Sequence, residues 1–322
     1  MKTKQECEKY NKEKYKKEEI DGNLSVIIPS HNRAHLIDFN LPTIYKQPFG
    51  NEYEIIVIDD RSTDNCREVV EKHNKLCGGR IRYIRLDKDI ISQPKFGLEA
   101  PKYPGTYRTG LKPINVGIRH AKYGLIMQSD PEIFHLRCNM QKFVDKARNS
   151  YYFDWIWMGS MGAVKVQGDG QREREGLRAA TEEFFKKDIK YKFDSSGYIE
   201  NYTGIQEWLV AKDFEVGPCM FPICVCFSKE PISLIRGYDE EMIGYGWADN
   251  DILGRLSNIG VLIDGCMEGV LSWIHLYHEC REIPMGGYNQ PYATTKESLI
   301  PEDEKFTIEA NRRNDEKWGY IE

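Results

Sequence analysis

Short apolar runs alternate with helical patterns near the start of the chain. The runs at 24–29, 54–60 and 80–86 are rich in Ile, Val or Tyr and end in polar loops, which is the pattern of strands. Between them, residues 36–47 and 62–76 carry apolar positions at helical spacing. Strand, helix, strand, helix, strand is the order that builds a parallel sheet covered by helices. The pattern therefore predicts an α/β fold of the nucleotide-binding type.

The later sequence continues this pattern with less regularity. It predicts a helix from about 115 to 122 and a strand over 125–127. The run FPICVCF predicts another strand, in which alternation places Cys224 and Cys226 on one face. Residues 159–217 mix glycine, charged and aromatic side chains without a clean period, which is typical of an insertion or of a loop over a site.

Polar side chains follow the first two predicted strands. Pro29–Arg33 ends the first strand and Asp59–Thr63 ends the second. Because parallel sheets bind ligands at the carboxyl ends of their strands, we expect both loops at one site. Asp59 and Asp60 could accept hydrogen bonds from a base or a ribose, and they could equally cap the helix that follows. The pattern leaves both interpretations open.

A second acidic group follows the strand predicted at 125–127. The chain continues with QSDPE, and Pro131 ends the strand so that Asp130 and Glu132 could project toward one site. Two carboxylates are hard oxygen donors of the kind that Mg²⁺ or Mn²⁺ prefers. The sequence therefore predicts a divalent cation site here.

The segment GYGWADNDILGRL places two acids directly after an aromatic and glycine cluster. Apolar residues continue at helical spacing, so Asp249 and Asp251 fall in a first turn, where the helix dipole favours negative charge. Capping alone would explain them. Tyr245 and Trp247 could also wall one face of a sugar, with Gly246 allowing close approach of the backbone. The segment is therefore a candidate site.

Charge and composition exclude several classes of protein. The net charge is −5 and the pI is about 5.9, so no global positive field attracts nucleic acid or anionic lipid. No apolar run approaches the about 20 residues that span a bilayer, and no signal-peptide core follows Met1, so we expect a cytoplasmic protein. The nine cysteines are scattered and odd in number, which favours reduced thiols.

Five motifs occur in an order that resembles a known family. VIIPSHNR, EIIVIDDRSTD, NVGIRHAKYGLIMQSD, RGYDEEMIGYGWADNDILGRL and WIHLYHE, spread from about Leu24 to Glu279, resemble inverting glycosyltransferases of the family 2 type. The later motifs resemble the chondroitin-polymerase and β-1,4-galactosyltransferase branch. The resemblance implies a GT-A (nucleotide-diphospho-sugar transferase) fold, with a single large Rossmann-like mixed sheet flanked by helices.

The resemblance also implies an activity and a set of site residues. It implies transfer of a hexose or N-acetylhexosamine from a nucleotide-sugar donor, expected to be UDP-linked, to an acceptor hydroxyl, with a Mn²⁺ or Mg²⁺ cofactor. Asp249 is the implied general base, and Asp60 falls on the acid that reads the uracil. The implied donor-binding residues are Pro29, Ser30, Arg33, Asp59, Asp60, Arg108, Asn115 and Ser129; the metal ligands are Asp130, Glu132, His275 and His278; the acceptor-binding residues are Tyr245, Gly246, Trp247 and Asp251.

Two positions depart from the family pattern. Where the family has Asp-x-Asp this chain has QSD, so only the second acid, Asp130, is present unless Glu132 substitutes for the one that Gln128 replaces. Ala248 replaces the Glu of the family form GWGGED, which leaves the acceptor open. These departures keep a second hypothesis, a catalytically inactive glycan- or nucleotide-binding protein with the same fold. A nucleotidyltransferase is a third, although no glycine-rich phosphate loop is evident near residue 30.

On this basis the chain divides into four expected parts. These are a charged tail or helix at 1–22, a nucleotide-sugar-binding half at 23–135, an acceptor-binding and catalytic half at 136–285 with an insertion at about 159–217, and a C-terminal extension at 286–322. The acceptor could be a glycan, a lipid-linked oligosaccharide, a protein side chain or a modified nucleobase.

Overall fold

The fold is given by a computed structural model that describes the chain in blocks. The described residues are 21–86, 111–135, 140–141, 144–145, 154–156, 161–166, 214–217, 224–242, 247–264, 273–275, 300–301 and 304–321. Only the backbone is described for residues 134, 154–156, 161–166, 214–217, 262–264 and 273–275.

A seven-stranded mixed sheet forms the centre of the fold. In spatial order its strands are β10 (Leu262–Asp264), β6 (Asp154–Ile156), β9 (Cys224–Ser228), β4 (Leu125–Ser129), β1 (Leu24–Ser30), β2 (Tyr53–Asp59) and β3 (Ile81–Arg85). Strands β1 to β4 pair in parallel, whereas β9 is antiparallel to both β4 and β6. The predicted parallel sheet is therefore confirmed.

The order of the strands reverses beside β1. From β1 the chain builds β2 and β3 on one side, and β4 then pairs with the other side of β1. Such a reversal opens a crevice at the carboxyl ends of the two central strands, because the loops that leave them turn in opposite directions. The loops after Ser30 and after Ser129 border this crevice.

A smaller four-stranded sheet lies outside the central one. Its strands, in spatial order, are β5 (Ile133–His135), β11 (Trp273–His275), β7 (Met161–Val166) and β8 (Phe214–Gly217). Strands β7 and β8 pair antiparallel, so both ends of the segment predicted as an aperiodic insertion are strands. The pattern does not indicate them, since Gly162 and Lys165 interrupt the apolar alternation of β7.

Five α-helices and one short 3₁₀ helix are described. They are α1 (Ala34–Tyr45), α2 (Cys66–Leu76), α3 (Leu111–His120), α4 (Lys229–Leu234), α5 (Ala248–Asn258) and the 3₁₀ helix Glu309–Asn311. Helix α3 begins four residues before the predicted start at 115, because a first turn accepts Pro113. Within the described part of the chain, none of the helices is both long enough and apolar enough to cross a membrane.

The central sheet is buried on both faces. Along β1, Val26 and Ile28 pack with α1 and α2, whereas Ile27 packs with α3 and α5. Strands covered on both sides are apolar throughout, which explains the continuous runs in the sequence. Cys224 and Cys226 both lie on the first of these faces, as predicted, and burial raises the pKa of each thiol.

Gly117 lets α3 approach the centre of the sheet. A Cβ at this position would lie 2.8 Å from Ile58 Cδ1 and 3.1 Å from Ile27 Cβ. Ile27 Cβ sits on the backbone of the central strand and cannot move aside without shifting β1. The helix therefore packs against β1 and β2 at a distance that only glycine permits.

We predict that Gly117→Ala destabilises the protein. The overlap should cost about 1 to 3 kcal/mol, against a gain of about 1 kcal/mol in helix propensity, leaving a net loss of about 1 kcal/mol in the free energy of unfolding. Urea denaturation measures it. Gly124→Ala, whose Cβ would meet nothing within 4 Å, is the control. Equal stability of both variants and the wild type would contradict the prediction.

Candidate active site

The loops that follow β1 and β2 are hydrogen-bonded to each other. The Asp60 amide donates to the Ser30 carbonyl oxygen at 2.7 Å, and His31 Nδ1 lies 2.7 Å from the Asp60 carbonyl oxygen. Asn32 and Arg61 have φ angles of 52° and 57°, which are strained for residues other than glycine. The two loops therefore form one wall at the carboxyl end of the sheet, as the sequence predicts.

Asp59 is fully buried, and its own loop uses its carboxylate. The oxygens accept hydrogen bonds from the Ser62 amide at 2.8 Å, from Arg85 Nη1 at 3.1 Å and from the Tyr83 hydroxyl. Burial, together with the bond to Asp59, raises the pKa of Tyr83 to about 12. These contacts favour a role for Asp59 in holding the loop; its contact with a donor stays a prediction.

Asp60 and three further predicted donor residues line the same edge of the crevice. The Asp60 side chain is 13% exposed and accepts a hydrogen bond from Arg61 Nε at 3.2 Å. Pro29 and Ser30 are buried at the end of β1, and Arg33 lies partly exposed immediately before α1. The structure thus gathers these four residues, and their contact with a nucleotide stays a prediction.

Asp130 follows β4, and the charges of Glu132 and Asp249 act on it; we call these three residues the acid cluster. Burial, followed by repulsion from Glu132 and Asp249, raises the pKa of Asp130 well above its usual range. Burial raises the pKa of Asp249 to about 6. The fold therefore brings Asp249 close enough to Asp130 for its charge to affect the protonation of Asp130.

Helix α1 anchors the chain that leaves β4. Asn40 Nδ2 donates to the Asp130 carbonyl oxygen at 3.4 Å, and the His135 amide donates to Thr43 Oγ1 at 3.2 Å. The Ser129 hydroxyl lies 2.8 Å from His135 Nε2, and burial lowers the pKa of His135 to about 3, so the ring is neutral. Ser129, a predicted donor residue, thus bonds within the protein.

Asp249 lies in the first turn of α5. Trp247 precedes the helix with φ 63°, and its carbonyl oxygen accepts a hydrogen bond from the Asp251 amide at 2.9 Å. Side chains two positions apart in a helix point about 200° apart around its axis, so the two acids face different surroundings. The charge of Asp249 raises the pKa of Asp130, whereas the Asp251 carboxylate forms a buried ion pair with Arg255 Nε at 2.7 Å. Acceptor binding by Trp247 and Asp251 stays a prediction.

Tyr238 belongs to the site, although the sequence pattern does not single it out. The side chain is buried, and its hydroxyl donates to Gln128 Oε1 at 3.1 Å. Burial and the nearby charges of Asp249 and Asp130 raise the pKa of Tyr238. Gln128 therefore holds a tyrosine beside the acid cluster, at the position where the family pattern has an acid. Tyr238 is the tyrosine of the RGYDEE motif, but the sequence alone does not distinguish a single tyrosine at a site from one in the core.

Asn115 is buried and joins α3 to the turn after α4. Its Nδ2 donates to the Tyr238 carbonyl oxygen at 2.8 Å and to Glu240 Oε1 at 2.9 Å, while its Oδ1 accepts from the Tyr238 amide at 2.8 Å. The side-chain amide thus bonds through both of its polar atoms within the protein. This favours a structural role, and the donor contact implied by the resemblance stays a prediction.

Several predicted site residues lie outside the described residues. These are Arg108, Tyr245, Gly246 and His278, while of His275 only the backbone in β11 is described. Among the described side chains, no three from His, Cys, Asp or Glu converge in a way that could hold a metal ion. Asp130 and Glu132 are the described part of the predicted metal site.

Residues 25–93 match the sequence model of Glycosyl transferase family 2. This stretch of the chain is similar to the family 2 glycosyltransferases. The match covers β1 from its second residue, all of β2 and β3, and the two loops that follow β1 and β2. The resemblance seen in the sequence motifs is thereby confirmed at the level of the family.

Two curated relatives match short stretches of the chain. Chondroitin synthase from Escherichia coli is 38% identical over 88 residues, which is 26% of this chain and 12% of the synthase. Validoxylamine A glucosyltransferase from Streptomyces hygroscopicus subsp. jinggangensis is 44% identical over 62 residues, which is 19% of this chain and 14% of that protein. The matched stretches are thus a small part of the length of either relative.

A solved structure shares the fold. TarS residues 1–349 from S. aureus, in complex with UDP-GlcNAc, aligns with 88% of this chain and 69% of its own at 15% sequence identity, with a TM-score of 0.50. The predicted GT-A architecture, a mixed sheet flanked by helices, is confirmed. The described residues add the four-stranded sheet to the single large sheet that was expected.

We predict different effects from removing the two adjacent acids. Asp59→Ala should lower the free energy of unfolding by about 2 to 3 kcal/mol, because it leaves the buried partners of Asp59 unpaired. Asp60→Ala should cost less than about 1 kcal/mol, because it removes a partly exposed ion pair. Urea denaturation of both variants compares them. Equal losses would show that Asp59 does not hold the loop.

Proposed function

We propose that this protein is an inverting glycosyltransferase that moves a sugar from a UDP-sugar to an acceptor hydroxyl, with Asp249 as the general base. The observation that carries the proposal is the acid cluster at the end of β4, beside the point where the strand order of the sheet reverses. Asp249 is half-buried there, burial raises its pKa to about 6, and its charge acts on Asp130. The match of residues 25–93 to Glycosyl transferase family 2 supports the reaction class.

The donor nucleotide would bind against the wall formed by the loops after β1 and β2. Asp60 accepts from the base, and Pro29, Ser30 and Arg33 complete the pocket. Three observations support this assignment: the family match covers these loops, their backbones are strained, and they border the crevice where parallel sheets bind ligands. TarS, which shares the fold, binds UDP-GlcNAc in its solved complex.

The pKa of Asp249 suits a general base near neutral pH. Above pH 6 the carboxylate is ionised, yet burial leaves it more basic than an exposed Asp. It takes the proton of the acceptor hydroxyl as that oxygen forms a bond to the anomeric carbon. The bond from this carbon to the donor diphosphate breaks in the same step, and the electron pair leaves with the diphosphate. One displacement inverts the anomeric carbon.

Asp130 and Glu132 would supply two carboxylate ligands to a divalent cation, Mn²⁺ or Mg²⁺. Asp130 carries a raised pKa because two other acids lie close to it, and positive charge would relieve this repulsion. Asp130 and Glu132 would hold the cation, and His275 is a further candidate because its backbone pairs with Ile133, next to Glu132. When bound, the cation neutralises charge on the departing diphosphate.

A second candidate function is a catalytically inactive nucleotide- or glycan-binding protein of the same fold. The bond between Gln128 and Tyr238 favours it, because an amide stands where the family pattern has an acid and is fixed in place by a buried hydroxyl. Release of free UDP from a UDP-sugar without any acceptor separates the two, since only a catalytic site hydrolyses the donor.

A panel of nucleotide sugars tests the donor assignment. UDP-, GDP-, CDP- and dTDP-sugars are added with and without Mn²⁺, and the melting temperature is measured. A ligand at a hundred times its Kd stabilises a protein by about 2.7 kcal/mol, so the correct nucleotide should stand out. We expect UDP-sugars with Mn²⁺ to give the largest shift. If no nucleotide raises the melting temperature, the donor assignment is wrong.

We predict that Asp249→Asn lowers kcat by at least about 10²-fold, the usual contribution of a general base. The Kd for UDP should change less than about twofold, because the proposed base does not bind the nucleotide. Initial rates of UDP release measure the loss. The variant should be no less stable than wild type at pH 7.5, since burial penalises the charged carboxylate. Asn250→Ala, an exposed neighbour in the same helix, is the control. Retained activity in Asp249→Asn excludes this base.

We predict that kcat/KM falls as the pH drops through about 6. The pKa of Asp249 is raised to about 6 by burial, and the base acts only when ionised, so protonation below that pH removes it. The rate profile between pH 4.5 and 8.5 checks this. A profile with no decline on its acidic side above pH 5 would contradict the assignment.

A further inference from the structure

The C-terminal segment, residues 304–321, packs against the helix that carries Asp249. Ile308 and Trp318 are buried in the same core as Ile252 and Leu256 of α5. The motif pattern and the family match both end before this segment, so neither assigns it a role. Its contacts place it on the catalytic side of the fold.

Polar contacts bind this segment to the chain that follows α4. Asn314 Nδ2 donates to the carbonyl oxygens of Arg236 and Tyr238, both at 2.6 Å, and Asn314 Oδ1 accepts from the Glu240 amide at 3.0 Å. Arg312 Nε donates to the Leu234 carbonyl oxygen at 2.9 Å. The segment is therefore fixed beside Tyr238.

A buried charge network joins the segment to the first turn of α5. Asp251 pairs with Arg255 Nε at 2.7 Å and with Arg313 Nε at 3.6 Å, and the three side chains are 4%, 2% and 8% exposed. Arg255 Nη1 also donates to the carbonyl oxygens of Gly237 at 3.0 Å and Asn311 at 3.2 Å. Buried ion pairs add little net stability, but they can select one arrangement over others.

We propose that Arg313 and Asp251 are positioning residues that fix the first turn of α5 and so aim Asp249 at the acid cluster. This inference rests on the proposed function, in which Asp249 is the base. Asp251 and Asp249 lie on different sides of the same turn, so holding one side chain in the protein interior sets the direction of the other. Trp247, which precedes the turn, has a strained backbone that needs such support.

The proposal places the donor site and the positioning network in different parts of the fold, so their variants should have different effects. The proposed nucleotide wall lies in the loops after β1 and β2, whereas Arg313 and Asp251 lie at α5. Loss of Arg313 should therefore lower kcat and leave donor binding unchanged. A general loss of structure would instead weaken both.

Arg313→Ala and Arg312→Ala form a matched pair for the test. Both remove an arginine from the same segment, but Arg312 bonds to Leu234 and not to α5. Amide hydrogen exchange of residues 248–258 should speed up at least about tenfold in Arg313→Ala and much less in Arg312→Ala. Arg313→Ala should also lower kcat by about ten- to a hundredfold, with the Kd for UDP within about twofold of wild type.

Two further variants keep the test decisive. Arg313→Lys retains the charge and should recover part of kcat. If Arg313→Ala does not fold, Arg313→Gln keeps most of the side-chain volume while removing the charge, and the same measurements apply. The proposal is overturned if the Arg313 variants match Arg312→Ala in exchange and in kcat, or if only the melting temperature falls.

Failure of the proposed function gives a different result. If the wild-type protein releases no nucleotide from any donor, transfer activity is refuted, and with it the catalytic purpose of the network. The exchange comparison then decides by itself whether Arg313 fixes the first turn of α5. Faster exchange in Arg313→Ala alone supports the structural half of the proposal, and unchanged exchange refutes it.

Discussion

Repulsion between Asp130 and the nearby charges of Glu132 and Asp249 is the interaction on which the candidate site depends. Burial and this repulsion both raise the pKa of Asp130. The fold has to hold them against this repulsion. It does so through the parallel pair of β1 and β4 and through Asn40, which bonds to the backbone at Asp130. Burial raises the pKa of Asp249 to about 6, and positive charge from a cation would relieve the repulsion at Asp130.

The two sides of the crevice are built by different means. At the proposed donor wall, short-range loop contacts and the buried Asp59 hold the two loops together with little beyond β1, β2 and β3. On the side of Asp249, the proposed base, α5 is held by residues distant in sequence, including Arg313. The family match covers the loops after β1 and β2 and ends before α5.

The sequence predicts β1, β2, β3 and the loops that follow them well, because local periodicity determines these elements. Strands buried on both faces give continuous apolar runs, and the rule that ligands bind at strand ends points to Asp60 and Asp130 directly. The remaining features have no periodic signature. Asp251 looks like a helix cap until Arg313 is seen beside it, and the partnership of Gln128 with Tyr238 spans more than a hundred positions. Such pairs arise only when the chain has folded.

The most direct test of the central claim is the affinity for Mn²⁺ in the presence of UDP, measured by electron paramagnetic resonance. If the acid cluster is the cation site, Asp130→Asn should weaken Mn²⁺ binding by at least about tenfold, while Asp249→Asn should retain it. Unchanged Mn²⁺ affinity in Asp130→Asn would show that the three carboxylates do not form the catalytic centre.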